Sequence, residues 1–162
     1  MFAIVERAVG ADRHGADAAR EAIARIAPDA TLGYDGTRPI VVGAPGVAVS
    51  ITHSRTRAVA VAARVARLGI DLVDDADAAR CERLAPRYLA RELAFARTPL
   101  DLARCLAAKE AGLKALGLGL LDGGMFDACA VSILSLEPPR LATSSHPLSL
   151  WFAARTLAIA FG

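Results

Sequence analysis

The sequence predicts an α+β protein made of two pseudo-repeated α/β halves, each a helix packed on a mostly antiparallel sheet. Two observations indicate this class. A helical segment followed by several strand-like runs occurs before residue 75 and again after residue 99. The tetrapeptide AVSI also occurs twice, at residues 48–51 and at residues 130–133. We therefore expect an N-terminal half over residues 1–75 and a C-terminal half over residues 76–162, joined in one integrated domain.

The first half is predicted to be mainly extended. Alternation indicates a strand over residues 2–9, and apolar residues at helical spacing indicate a helix over residues 14–27. The Pro, Gly and Asp residues of segment 28–38 are typical of a loop. Further strands are predicted in four β-rich runs: Pro39–Val42, Val47–Thr52, Ala58–Val65 and Leu68–Val73.

The second half is predicted to begin with helices and to end with strands. Proline placement separates three helices: Ala76–Leu84, Arg87–Arg97 and Asp101–Leu116. Four strand-like runs follow: Cys129–Leu136, Leu141–Ser144, Leu148–Ala153 and Thr156–Phe161.

Composition excludes several protein classes. The 162 residues are 54% hydrophobic and 22% charged, which excludes a disordered chain. No run approaches 18 apolar residues, so no membrane span is expected, and the charged start does not fit a signal peptide. A formal net charge of +2 does not indicate binding to nucleic acid or membranes. Three cysteines without C-x-x-C spacing fit neither a disulfide scaffold nor a zinc site, and indicate the reducing cytoplasm.

Asp71 is the first candidate for chemistry. It lies in a run whose two faces are otherwise apolar, with Leu68, Ile70 and Leu72 on one face and Gly69, Asp71 and Val73 on the other. A carboxylate there needs a cation, several N–H donors or a metal, because an unpaired buried charge is costly. The alternative is an aspartate at a strand end, or one paired with an arginine.

The helix predicted over Asp101–Leu116 carries the only two lysines in a chain with seventeen arginines. An ammonium is a compact point charge, unlike the planar guanidinium, so keeping both lysines here indicates a need for compact cations. Lys109 lies within the apolar stripe, and Glu110 and Lys114 are one turn apart along its edge. The alternatives are an ordinary i,i+4 ion pair for Glu110 and Lys114, and for Lys109 a stem lying on apolar surface with its head in water.

The segment Thr52-His53-Ser54 is a candidate for phosphate binding. Its imidazole and hydroxyl groups can donate to phosphate, and Arg38 upstream can bind phosphate with two parallel hydrogen bonds. The alternative for His53 is a satisfied core histidine. A catalytic triad of Ser54, His53 and Asp71 is rejected, because neighbouring strand residues point to opposite faces.

Taken in order, these segments resemble the 4′-phosphopantetheinyl transferases. Residues 37–39 (TRP) are similar to the G-[RK]-P segment of that family, residues 50–54 (SITHS) to S-x-S-H-S, and residues 69–71 (GID) to G-[IV]-D. Residues 108–115 (AKEAGLKA) are similar to [WF]-[SA]-x-K-E-[AS]-x-x-K, and residues 117–120 (GLGL) to the G-x-G-[LI] that follows it. The order is that of the surfactin-type enzymes, which are pseudo-dimers, whereas the holo-carrier-protein-synthase types are single halves that trimerise.

The resemblance implies transfer of 4′-phosphopantetheine from coenzyme A to a serine of an apo acyl or peptidyl carrier protein, with release of adenosine 3′,5′-bisphosphate. It implies Mg²⁺, with Mn²⁺ as the alternative metal, bound by Asp71 and Glu110. Lys114 would hold the transferring phosphate, and Glu110 would accept the serine proton. Asp71, Glu110 and Lys114 are thus the implied catalytic residues. Since two halves in one chain already form the interface that the single-half enzymes build between subunits, we expect a monomer. The cysteine usage and net charge described above predict a cytoplasmic protein that binds neither nucleic acid nor membranes.

The resemblance also implies which side chains contact coenzyme A. Lys109 would support the pantetheine side, and Arg13 would bind the 3′-phosphate. The other implied contacts are Arg38, Thr52, His53, Ser54 and Lys114.

Three departures from the family pattern bear on activity. Val73 replaces the glutamate expected two residues after Asp71, and Leu106 replaces the usual aromatic residue. The chain is also short for this subclass, with a reduced N-terminal basic segment. Two alternatives therefore stand beside the enzyme: a catalytically weakened module that binds coenzyme A or the carrier protein, and a structural α+β domain with accidental motif matches.

Overall fold

The computed structural model describes residues 1–8, 14–74, 77–118 and 129–162. Within these ranges the helices are α1 (His14–Ile26), α2 (Ala78–Tyr88) and α3 (Pro99–Ala115), with a 3₁₀ turn at Glu92–Ala94. The first five strands are β1 (Phe2–Ala8), β2 (Thr31–Asp35), β3 (Arg38–Val42), β4 (Ala48–His53) and β5 (Arg57–Ala63). The other five are β6 (Leu68–Leu72), β7 (Val131–Leu136), β8 (Pro139–Thr143), β9 (Ser149–Ala154) and β10 (Leu157–Phe161).

The strands form two three-stranded sheets and two hairpins, and every described pairing is antiparallel. The first sheet has the order β1-β5-β4 and is accompanied by the hairpin β2-β3. The second has the order β6-β10-β9 and is accompanied by the hairpin β7-β8. The predicted α+β class with antiparallel sheets is confirmed. Asp71 belongs to the second sheet, because β6 pairs with β10. The predicted boundary at residue 75 instead places Asp71 in the N-terminal half.

One face of each sheet packs against a helix, and the opposite faces of the two sheets pack against each other. Helix α1 packs on the first sheet through Ala18, Ala22 and Ile23, which are fully buried. Helix α3 packs on β6 and β10 of the second sheet. Between the sheets lies a separate cluster that includes Ile70 and Ile159. The alternating apolar residues of β6 thus face the other sheet, and the opposite face of β6 is left for α3.

Two predicted elements differ from the structure. The predicted loop 28–38 contains β2, which pairs with β3 around Gly36 at φ +58°. The predicted helix Arg87–Arg97 is wrong, because α2 continues through Pro86 to Tyr88 and only a 3₁₀ turn follows. Pro86 lies on the exposed side of α2, and so does Glu82, whose carbonyl oxygen loses the N–H donor that a proline lacks. No described helix is long and apolar enough to cross a membrane.

Candidate active site

Gly69 allows α3 to lie directly on β6. A Cβ at this position would be 2.0 Å from the carbonyl oxygen of Ala111 and 2.4 Å from the amide nitrogen of Ala115. Both distances are far below a van der Waals contact, so only glycine permits this approach. Asp71 is two residues further along and on the same face of the strand, which places its carboxylate beside the last turns of α3.

Asp71 is held by two donors from different elements. Lys114 Nζ donates to Oδ1 of Asp71 at 2.9 Å and also lies 3.2 Å from the carbonyl oxygen of Ile70. Thr52 Oγ1 donates to the same Oδ1 at 2.9 Å. The carboxylate is 17% exposed, so the partly buried charge has both a cation and a hydroxyl donor. The cation is a lysine rather than the arginine considered from the sequence.

Asp71 and Glu110 line one cleft of about 400 Å³, between the end of β6 and helices α2 and α3. Glu110 is half-buried, one helical turn before Lys114. The apolar part of the cleft is formed by Leu72, Val73, Cys81, Leu84 and Leu106. The polar part is formed by His53, Ser54, Arg55, Asp71, Asp77, Arg80 and Glu110.

Three polar residues of the cleft were not identified from the sequence: Arg55, Asp77 and Arg80. Arg55 follows β4 in a turn, and its Nη2 donates to Asp77 Oδ1 at 2.6 Å. This hydrogen bond and the charge of Asp77 raise the pKa of Arg55. Arg80 is exposed on α2. Nothing local in the sequence distinguishes these residues from ordinary surface charges, because only the fold brings the turn after β4 and helix α2 to the same cleft.

Cys81 also lines the cleft, and its side chain is buried. Burial raises the pKa of the Cys81 thiol, and the negative charge of Asp77 adds to the effect. The thiol is therefore protonated at neutral pH, which does not suit a nucleophile.

The donor set at the cleft fits a hard divalent cation. Asp71 and Glu110 supply carboxylate oxygens, and Mg²⁺ in proteins usually binds one or two carboxylates together with phosphate oxygens and water. Among the described residues, no group of three or more His, Cys, Asp or Glu side chains is arranged to hold a metal by itself. Substrate oxygens would therefore have to complete the coordination. Because both ligands in this pair are oxygens, they suit Mg²⁺ or Mn²⁺ better than a metal that prefers thiolate ligands.

Val73 and Asp74, the two residues that follow β6, add no third carboxylate to the cleft. Val73 is at the position where the resembling family has glutamate, and it lines the cleft as an apolar residue. Asp74 is turned to Thr56, whose Oγ1 donates to it at 3.2 Å, and to Arg57, whose Nε lies 3.5 Å away. Asp74 is not among the residues that line the cleft.

Two residues of the Thr52-His53-Ser54 segment line the cleft, and the third is buried. His53 is exposed and lines the cleft, so it is not a core histidine. Ser54 lines the cleft as well, and its Oγ accepts the N–H groups of Thr56 and Arg57 at 3.3 Å. Thr52 is buried, and its hydroxyl is bonded to Asp71 instead of facing the cleft.

Arg38 lies outside this cleft. It is exposed at the start of β3, and its Nη1 is 3.2 Å from the position of a Cβ on Gly117. Gly117 follows the C-terminus of α3 with φ +76°, a conformation that favours glycine. A guanidinium at this end of a helix is also favoured by the helix dipole. Arg13 lies outside the described residues.

Lys109 is bound away from the cleft. Its Nζ donates to the carbonyl oxygen of Tyr88 at 2.8 Å and lies 3.1 Å from Oε1 of Glu92. The same Oε1 accepts the N–H of Ile133 at 3.0 Å, and Glu92 is 1% exposed. The buried pair joins α3 to the 3₁₀ turn and to β7, and Lys109 is not among the residues that line the cleft. The sequence signal for its partner is weak, because Glu92 is seventeen residues away and follows no helical spacing.

Comparison of the chain with protein-family models and with curated proteins finds no match.

Proposed function

We propose that this protein transfers 4′-phosphopantetheine from coenzyme A to a serine hydroxyl of an apo acyl or peptidyl carrier protein. One observation carries the proposal: Asp71 and Glu110 line the same cleft, and Lys114 is bonded to Asp71 beside it. These three side chains come from the two segments that resemble the G-[IV]-D and K-E-x-x-x-K patterns of the phosphopantetheinyl transferases.

Asp71 and Glu110 would hold Mg²⁺ or Mn²⁺ through their carboxylate oxygens. Such a cation supplies positive charge to the diphosphate of coenzyme A, which a phosphoryl-transfer site needs as the P–O bond breaks. Lys114 adds a fixed ammonium next to Asp71. His53, Arg55 and Arg80 are the basic side chains that line the cleft and could bind the remaining phosphate oxygens.

Glu110 is the proposed general base. The carrier serine oxygen forms a bond to the pantetheine-side phosphorus, and the bond from that phosphorus to the bridging oxygen breaks. Adenosine 3′,5′-bisphosphate leaves with that oxygen, and the serine proton passes to Glu110, directly or through one water. Leu84 and Leu106 form an apolar wall in the same cleft as this carboxylate.

Mass spectrometry of an apo carrier protein tests the proposal. Incubation with coenzyme A, Mg²⁺ and the protein should add the mass of one phosphopantetheine to the carrier serine. Glu110→Gln and Asp71→Asn should abolish the gain, and Asp74→Asn, which alters a carboxylate outside the cleft, should retain it. The absence of any mass gain with the native chain would contradict the enzyme proposal.

Val73 favours one alternative function. An apolar residue at the position of a third carboxylate reduces the charge available to a metal, as expected of a catalytically weakened module that binds coenzyme A or a carrier protein. Calorimetric binding of coenzyme A without transfer to the carrier would support this alternative over the enzyme.

We also propose that the two sheets, each with its helix and hairpin, are the pseudo-repeated halves expected from the sequence. The two sheets have the same strand pattern. In the first sheet β1 pairs with β5 and β5 with β4, and in the second sheet β6 pairs with β10 and β10 with β9. The sheets bury a shared cluster that includes Val61 and Ile70, so one chain already contains the interface between halves. We therefore expect a monomer, and a trimer in light scattering would contradict this.

A further inference from the structure

Thr52 is separated from the cleft although its neighbours line it. Its side chain is on β4 and only 3% exposed, whereas His53 and Ser54 both line the cleft. The Thr52 hydroxyl donates to Oδ1 of Asp71 at 2.9 Å. The Thr52 hydroxyl is therefore hydrogen-bonded to the carboxylate, and Thr52 does not line the cleft.

The bond crosses from one sheet to the other. Thr52 belongs to the first sheet and Asp71 to the second, so the contact joins the edge strands β4 and β6. Ser50, two residues earlier on the same face of β4, accepts the N–H of Ile70 at 3.1 Å. An edge strand needs partners for the N–H groups that point away from its own sheet, and Ser50 provides one. Both hydroxyls thus make a hydrogen bond across the junction, but Ser50 accepts from a backbone N–H, whereas Thr52 donates to the Asp71 carboxylate.

We propose that Thr52 is a positioning residue that orients the Asp71 carboxylate for a divalent cation, an inference that rests on the proposed function. Oδ1 accepts two bonds, one from Thr52 and one from Lys114, and these donors come from different elements. Two fixed donors on one oxygen restrict rotation of the carboxylate, so the group meets a cation in one orientation. Partners of metal ligands act in this way, and their removal commonly costs about 10–100-fold in metal affinity.

Titration with Mn²⁺ in the presence of coenzyme A tests this role, with free Mn²⁺ measured by electron paramagnetic resonance. Thr52→Val keeps the shape of the side chain but removes the donor, and we expect the Mn²⁺ affinity to fall about 10–100-fold. Thr52→Ser keeps the hydroxyl and should restore the native affinity. If T52V does not fold, Thr52→Ala is measured instead.

Ser50→Ala is the matched control, because it removes the other hydroxyl at the same junction without touching Asp71. It should lower the thermal unfolding midpoint and leave the Mn²⁺ affinity unchanged. Native Mn²⁺ affinity in T52V, or an equal loss of affinity in S50A, would overturn the positioning role while the proposed function stands. No Mn²⁺ binding by the native chain would overturn the proposed function, and the inference with it.

Discussion

The ammonium of Lys114 lies 2.9 Å from the Asp71 carboxylate and ties the last turn of α3 to strand β6. The contact depends on Gly69, which lets the helix approach the strand so closely. Gly69, Lys114 and Asp71 thus fix α3 against β6, and Glu110 on α3 is positioned relative to the sheet by this contact.

The glycine can be tested by Gly69→Ala. The new Cβ would meet the carbonyl oxygen of Ala111 at 2.0 Å, so α3 has to move away from β6. We expect the free energy of unfolding in urea to fall by about 3 kcal/mol. Gly15→Ala is the control, since its Cβ meets only the side chain of Ile51, at 3.1 Å, and alanine favours helix α1. Equal stability of G69A and the native chain would contradict the close-packing argument.

The buried pair of Lys109 and Glu92 predicts a non-additive effect on stability. Lys109→Met leaves the Glu92 carboxylate buried without its cation, and such losses cost about 3–5 kcal/mol. Combining it with Glu92→Gln removes both charges and keeps an acceptor for the N–H of Ile133. Guanidinium denaturation should show that the double variant recovers most of the loss. A double variant that is less stable than K109M would contradict this account of the pair.

The N-terminus of α3 predicts a dependence of stability on pH. Burial alone would raise the pKa of Asp101, but bonds from the N–H groups of Thr98 and Arg97 outweigh it and lower the pKa. A carboxyl with a lowered folded-state pKa contributes stability above its unfolded pKa of about 3.9, and loses it as the pH falls through the folded value. Asp101→Asn should therefore flatten the decline of the thermal midpoint over this acidic range. An unchanged decline would show that Asp101 does not contribute.

The three cysteines should differ in reactivity toward iodoacetamide at about pH 8. Cys129 is exposed and is expected to react first. Burial raises the pKa of the Cys105 thiol to about 12, so almost no thiolate forms at this pH. Cys81 is buried too and should be slow. Peptide mapping of the folded protein should find label on Cys129, and equal labelling of Cys105 would contradict the burial of α3.

The strand that carries Asp71 could be predicted from the sequence because its pattern is local. Leu68, Ile70 and Leu72 alternate with Gly69 and Asp71, and the structure confirms that the apolar set faces the other sheet. Strand β2 does not stand out in the sequence, because Gly33 and Asp35 favour turns and are typical of loops. Pairing with β3 stabilises it, and that pairing is not visible in the local pattern.

The candidate site could be predicted in part for the same reason. Asp71 stands out as a charge on an apolar face, and Lys114 as one of only two lysines in the sequence. Glu110 stands out because it lies between those two lysines. Arg55 and Arg80 are surface arginines among many until the fold brings β4 and α2 to one cleft. The burial of Lys109 likewise depends on Glu92, which reaches it only through tertiary packing.

Anomalous diffraction from crystals grown with Mn²⁺ and coenzyme A would test the central claim, that Asp71 and Glu110 bind one divalent cation. The account predicts a single peak in the cleft, about 2.0–2.3 Å from an oxygen of each carboxylate and from an oxygen of the diphosphate. A peak that contacts neither carboxylate, or a diphosphate bound with no peak beside it, would contradict the account.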